Sequence, residues 1–151
     1  MKIGPGRILG IIGGLLAVVG SFLPWAIITD GTTTVPIMGA IYPIFGWLFV
    51  IMAILGLIFV AIPNKILNIL AMVWGIIALI MGLLAMVLTS FLAGLGGLTG
   101  TITVSNGYGI YLGLVGAVLL MIGSPMAYSE AKKAAAAAMP PMMGPPMPPP
   151  Q

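Results

Sequence analysis

The stretch AMVWGIIALIMGLLA, residues 71–85, contains no ionisable side chain, and its small residues are spaced alternately by four and three positions. These small residues are Ala71, Gly75, Ala78, Gly82 and Ala85. This alternation is the heptad period, which keeps one stripe of a helix against a neighbouring helix. The stretch therefore predicts a helix that packs closely on another helix through its small residues.

Three other apolar segments carry the same kind of stripe, weakest in the second segment. The predicted packing residues are Gly6, Gly10, Gly13, Ala17 and Gly20 in the first segment, Gly46, Ala53 and Gly56 in the second, and Gly109, Gly113, Gly116 and Gly123 in the fourth. Small side chains let helix backbones approach closely in lipid. The same spacing would also suit a dimer interface, because Gly6, Gly10 and Gly14 form GxxxG steps, as do Gly109 and Gly113.

The composition places the chain among membrane proteins. Of its 151 residues, 61% are hydrophobic and 5% are charged, whereas about a quarter of the residues in soluble domains are charged. A helix needs about 20 apolar residues to cross a hydrocarbon core. The four segments predict spans at about 8–28, 43–62, 66–88 and 109–127, and hence an all-α antiparallel bundle of four transmembrane helices within residues 1–128.

The basic residues predict the orientation. They are Lys2, Arg7, Lys65, Lys132 and Lys133, and all of them fall on one side of the predicted spans. The positive-inside rule makes that side cytoplasmic. We therefore expect a multi-pass protein of the cell membrane with both termini in the cytoplasm. Since this charge pattern is explained by topology and lipid contact, it does not indicate a nucleic-acid partner.

Two Thr-rich loops lie on the opposite side. Residues 27–35 contain Asp30-Gly31, a strong turn signal between β-branched residues, and residues 100–107 end at Asn-Gly. The two segments could pair into a small extracellular hairpin or sheet. Such a sheet could act as a self-contained cap over the bundle, or its edge could add a strand from the next subunit.

Aromatic residues are concentrated near the outer ends of the spans. We predict an interfacial aromatic belt, because indole and phenol rings favour the headgroup region. Its members are Trp25, Tyr42, Trp47, Tyr108 and Tyr111. Pro24 lies near the outer end of the predicted first helix, where headgroups or water can replace the lost backbone donor.

The C-terminal region changes composition twice. Ser124-Pro125 predicts a kink or a new helix start, and residues 129–138 predict an Ala-rich cytoplasmic extension. Residues 139–151 are a Pro/Met-rich tail, for which an unstructured end, a docking peptide for a protein partner and copper(I) capture are all open interpretations. Of these, the unstructured end is favoured, and we predict no metal site.

Catalytic chemistry lacks its usual side chains. The chain contains neither histidine nor cysteine, and its only carboxylates, Asp30 and Glu130, fall on opposite sides of the predicted membrane. Metal centres, haem sites and nucleophile–base pairs all need groups that are missing. We expect no enzyme, no cofactor and no ion-coupled transporter.

The segment Gly20-Ser21-Phe22-Leu23-Pro24-Trp25 resembles the end of the first helix in small, uncharacterised four-span membrane proteins of archaea and bacteria. That resemblance implies a topology and no activity. A looser similarity is to claudin-like tetraspan proteins, which carry a small extracellular sheet and assemble laterally. This chain lacks their paired cysteines and the G-L-W segment of their first loop, so no functional residue is transferred.

The sequence therefore favours a non-enzymatic structural or scaffolding membrane protein that associates laterally into homo-oligomers or arrays. Two alternatives come from other classes. One is an oligomeric pore or passive conduit between subunits, and the other is an accessory subunit docked to a larger complex through the Pro-rich tail.

Overall fold

The computed structural model describes residues 3–41, 46–99 and 102–137. Within them lie four α-helices, one 3-10 turn and one three-stranded antiparallel sheet, so the predicted combination of helices and a small sheet is confirmed at this level. The elements in chain order are α1 (Pro5–Ser21), β1 (Pro24–Asp30), β2 (Thr33–Met38), the 3-10 turn (Gly39–Ile41), α2 (Gly46–Ala61), α3 (Lys65–Thr99), β3 (Ile102–Asn106) and α4 (Tyr108–Ala137).

Two segments, Lys65–Gly96 and Tyr108–Ala137, are long and apolar enough to cross a membrane. The helices α1 and α2 are apolar but shorter, with 17 and 16 residues. The predicted first span of 8–28 is wrong at its end, because the helix stops at Ser21 and the chain continues as β1. The start of the predicted second span, residues 43–45, lies outside the described residues.

The two long helices also differ from their predicted bounds. The third span was expected to end near residue 88, but α3 continues to Thr99 and its last turns pack on β3. The helix α4 runs unbroken from Tyr108 to Ala137 with Pro125 inside it, so no new helix starts there. It therefore contains the described part of the predicted Ala-rich extension.

The glycine contacts define how the helices pair. Gly6 lies against Met126 and Gly20 against Gly113, so α1 is antiparallel to α4. In the same way, Gly14 against Leu57 pairs α1 with α2. The helix α3 completes the bundle between α2 and α4, with Gly82 against Leu114 and Gly75 against Met121.

The bundle has two distinct ends. The sheet end is where α1 and α3 stop and α2 and α4 begin, and it carries Asp30. The charged end is where α1 and α3 begin and α2 and α4 stop. Its described charged residues are Arg7, Lys65, Glu130, Lys132 and Lys133.

The sheet has the strand order β2-β1-β3, with both pairings antiparallel. The β1–β2 hairpin turns at Gly31, whose φ of 53° is in the left-handed region that glycine tolerates. The strand β3 pairs with β1, Thr103 facing Thr29. The pairing expected between the two Thr-rich segments is therefore present, with β1 in the centre.

Buried hydroxyl groups are satisfied inside the helices. Ser21 donates to the Ala17 carbonyl at 2.7 Å, and Ser124 donates to the Leu120 carbonyl at 2.6 Å. Bonds of this kind leave neither hydroxyl unpaired between helices. These residues therefore pack as small residues rather than as part of a polar channel.

Gly116 tests the importance of close packing, because a Cβ there would collide with the Ala17 nitrogen of α1. We predict that Gly116→Ala lowers the free energy of unfolding by about 1–3 kcal/mol, since a backbone atom cannot move aside cheaply. Reversible denaturation in detergent micelles measures this.

Gly94 provides the matched control, because a Cβ added there would meet no atom within 4 Å. The same substitution, Gly94→Ala, should be neutral or should stabilise α3 by up to about 1 kcal/mol through helix propensity. Equal destabilisation by both variants would contradict the packing explanation.

Candidate functional site

All of the predicted packing residues are buried in the structure. Two of those in α1 meet backbone atoms of α4: a Cβ on Gly13 would lie 2.5 Å from the Leu120 nitrogen, and one on Gly20 would lie 2.6 Å from the Gly113 nitrogen. Gly75 is less tight, with 3.1 Å to the Met121 nitrogen. The stripes therefore join helices of this chain.

One packing glycine was missed as a member of the stripe. Gly14 lies on the α2 side of α1, and a Cβ there would be 2.8 Å from the Leu57 Cβ. The adjacent pair Gly13-Gly14 is the signal that could have found it. Two neighbouring glycines allow close approach on two faces, and α1 indeed contacts α4 with one and α2 with the other.

The predicted aromatic belt is only partly assembled. Trp47, Tyr108 and Tyr111 are exposed at the sheet end of the bundle. Tyr42 lies outside the described residues. The prediction for Trp25 is wrong, because its side chain is only 1% exposed and belongs to the core.

Trp25 instead closes the bundle interior under the sheet. Its ring makes an edge contact with Phe49, with centroids 4.8 Å apart and an interplanar angle of 79°, a favourable aromatic geometry. Gly39 packs against the indole, where a side chain would not fit. The Trp25 backbone carbonyl accepts from the Gly107 amide at 2.8 Å, which links the strand to the start of α4.

The sequence Pro24-Trp25 has a direct physical role in ending α1. A regular helix would bond the amide of residue 24 to the Gly20 carbonyl, but proline has no amide hydrogen. The Trp25 Nε1 donates to that same carbonyl at 2.8 Å. The Leu23 amide also donates to the Gly20 carbonyl, at 3.3 Å. The indole thus supplies a second donor where Pro24 offers none, and this bond holds the ring inward.

At the charged end, Glu130 of α4 caps α1 from a distance of 124 positions along the chain. Its Oε1 accepts from the Gly6 amide at 2.8 Å. The first residues of α1 offer no cap of their own, because Gly4 has no side chain and Pro5 no amide hydrogen. A carboxylate at a helix N-terminus also interacts favourably with the helix dipole.

Two polar groups near this end lack partners among the described residues. The Arg7 Nε is buried without an acceptor, and the Asn68 side chain is fully buried with neither its Oδ1 nor its Nδ2 bonded. Asn68 continues the packing stripe of α3 one turn before Ala71. Neither residue was predicted to form a site, although a polar residue on a small-residue stripe is a recognisable signal.

The two carboxylates cannot form a catalytic pair, because Asp30 is at the sheet end and Glu130 at the charged end. Among the residues that the structure describes, no three histidine, cysteine, aspartate or glutamate side chains could hold a metal ion. The methionines of residues 139–151 lie outside the described part. The side-chain contacts seen among the described residues are packing contacts and hydrogen bonds.

Comparisons with protein-family models, curated proteins and solved structures found no match to this chain.

Trp25→Phe separates the hydrogen bond of the indole from its packing. We predict a loss of about 1 kcal/mol in unfolding free energy, because the Gly20 carbonyl loses a donor while an aromatic ring is retained. Trp47→Phe is the matched control, since Trp47 is 63% exposed and should change stability little. Chemical denaturation in one detergent compares the two, and equal losses would argue against the capping role.

Glu130→Ala tests the cap on α1. We predict that the first turn of α1 loses about 1 kcal/mol of stability, as for removal of a helix cap, and that Glu130→Gln restores part of it through its amide oxygen. Hydrogen exchange at the Gly6 amide is the measurement. Unchanged exchange in Glu130→Ala would disprove the cap, while Lys133→Ala, at an exposed position, is the control.

Proposed function

We propose that this chain is a non-enzymatic integral membrane protein that associates laterally with copies of itself, with the charged end in the cytoplasm and the sheet end outside. Large apolar side chains are exposed along all four helices, which supports a lipid environment. The described basic residues lie at one end, as the positive-inside rule expects of a cytoplasmic end.

One observation carries the lateral association. Exposed apolar side chains follow α3 from Ile66 to Leu95, a length of about 44 Å at 1.5 Å per residue. A hydrocarbon core is only about 30 Å thick. When α3 lies along the bilayer normal, acyl chains cover only about 30 Å of this stripe, and its remainder near the sheet end is open to another apolar partner.

A second copy of the chain suits that part of α3. Its exposed residues include Phe91, Leu92 and Leu95, with the open surface of Gly94 between them. Ser90 adds no unpaired polar group, because its hydroxyl bonds to the Met86 carbonyl at 2.9 Å. Large apolar residues around a small one allow two helices to pack closely. A second copy in the same membrane presents this surface of α3 at the same depth.

The sheet is a weaker candidate for the contact. The edge of β3 lies against α3, where the Ile102 carbonyl approaches Gly96. The other edge, β2, carries Pro36 opposite Ile27. Proline cannot donate a backbone hydrogen bond, so it interrupts the edge as natural sheets often do. This supports the sheet as a cap rather than as a site of strand addition.

Association is measured by single-molecule photobleaching of labelled protein in liposomes over a range of protein-to-lipid ratios. We predict dimers or larger oligomers, and at least a tenfold loss of association in Phe91→Ala/Leu95→Ala. The control is Ile76→Ala/Ile80→Ala, on the same helix within the predicted lipid zone, where association should persist. A monomer at every ratio would refute the proposed function.

The two alternatives stay predictions. A pore between subunits would conduct in planar bilayers. Docking through residues 139–151 concerns a segment outside the described residues.

A further inference from the structure

Arg7 lies on the side of α1 that faces α2. A Cβ on Gly14 would lie 2.8 Å from the Leu57 Cβ, and one on Gly10 would lie 2.5 Å from the Val60 Cγ2. Arg7 precedes Gly10 by three positions and Gly14 by seven, so it shares their face. The antiparallel register therefore places Arg7 level with the turn between α2 and α3.

The charge of Arg7 has no counter-ion within the described bundle. A guanidinium remains protonated in proteins, and the Arg7 Nε is buried without an acceptor among the described residues. Glu130 points its Oε1 at the Gly6 amide, on the α4 side of α1, and Asp30 is at the sheet end. A buried donor without an acceptor is costly, so an acceptor from outside the described bundle would stabilise it.

Lys65 adds a second cation at the same edge. It is the first residue of α3, directly after the turn, and it is exposed. Exposed apolar side chains flank this edge on both helices, Ile8 next to Arg7 and Ile62 at the end of α2. The edge thus combines two cations with apolar surface that runs toward the middle of the bundle.

We propose that Arg7 and Lys65 bind the phosphodiester of an anionic phospholipid at the edge formed by α1 and the α2–α3 turn. The guanidinium fork matches two phosphate oxygens, while the ammonium acts as a point charge. The acyl chains lie along Ile8 and Ile62. This inference rests on the membrane placement in the proposed function, and it adds a lipid of defined charge to it.

Asn68 provides a second observation at this level. Val60 and Ala71 belong to the same buried cluster, and Asn68 lies one turn from Ala71 toward the charged end, just as Arg7 lies one turn from Gly10. The charged end of the bundle therefore contains two polar groups, from different helices, that lack partners among the described residues.

Native mass spectrometry of the detergent-solubilised full chain tests the site. Phosphatidylglycerol is titrated against phosphatidylcholine of the same acyl chains, and inorganic phosphate is added in a separate arm. We expect selective binding of phosphatidylglycerol that inorganic phosphate does not displace. Displacement by inorganic phosphate at millimolar concentration would show a free-anion site and overturn the lipid assignment.

Two double variants remove the same charge from different places. Arg7→Gln/Lys65→Gln should weaken phosphatidylglycerol binding at least tenfold, and Lys132→Gln/Lys133→Gln should change it less than about twofold. Circular dichroism confirms that the variants are folded, and Arg7→Lys should bind with intermediate affinity if the fork matters. Equal loss in both double variants, or equal binding of the two lipids by the unmodified chain, would overturn the proposal.

The same spectra give the oligomeric state. Selective lipid binding by a monomer would refute self-association and leave the lipid site in place. Oligomers without lipid selectivity would refute the lipid site and leave self-association in place.

Discussion

The contact between the α1 and α4 backbones is the constraint on which the rest of the structure depends. Along this contact, backbone atoms of one helix occupy the volume that a side chain would need on the other, as at Gly13 and Gly116. Dispersion between closely spaced backbones is an important source of helix association in lipid. The contact has a defined antiparallel register, with Gly13 against Leu120 and Gly20 against Gly113.

That register positions both ends of the molecule. At one end it brings Glu130 to the first amides of α1, where the chain has no local cap. At the other it brings Gly109 beneath Leu23 and Gly107 beneath Pro24, so β1 leaves α1 directly above the start of α4. The strand can then pair with β3, which immediately precedes α4. The sheet is thus a consequence of helix packing as much as of strand propensity.

The heptad spacing of small residues was sufficient to identify the buried faces of the helices. The spacing of the small residues predicted the buried faces of α1, α3 and α4 because a heptad stripe has one structural solution in a helix. Trp25 could not be placed in this way, because its inward orientation depends on a hydrogen bond from the indole to the Gly20 carbonyl, and the spacing of small residues carries no signal for such a bond. The capping role of Glu130 could not be predicted either, because its partner Gly6 is 124 positions away along the chain. The predicted third span ended at residue 88, where two polar residues follow, but the hydroxyls of Thr89 and Ser90 bond to carbonyls of the same helix and α3 continues.

The burial of the small residues determines which side chains remain on the outside of the bundle. Once the glycines of α1 and α4 face each other, the outward faces consist mainly of large apolar residues, which lipid solvates as well as protein does. A preferred protein contact can then arise only where lipid is absent or a small residue remains outside. In the proposed membrane placement, the sheet-end turns of α3 meet both conditions, because they extend beyond a hydrocarbon thickness measured from Ile66 and retain Gly94 on the surface. The same placement puts the cations of the charged end at headgroup level, which is why we propose a different partner for each end.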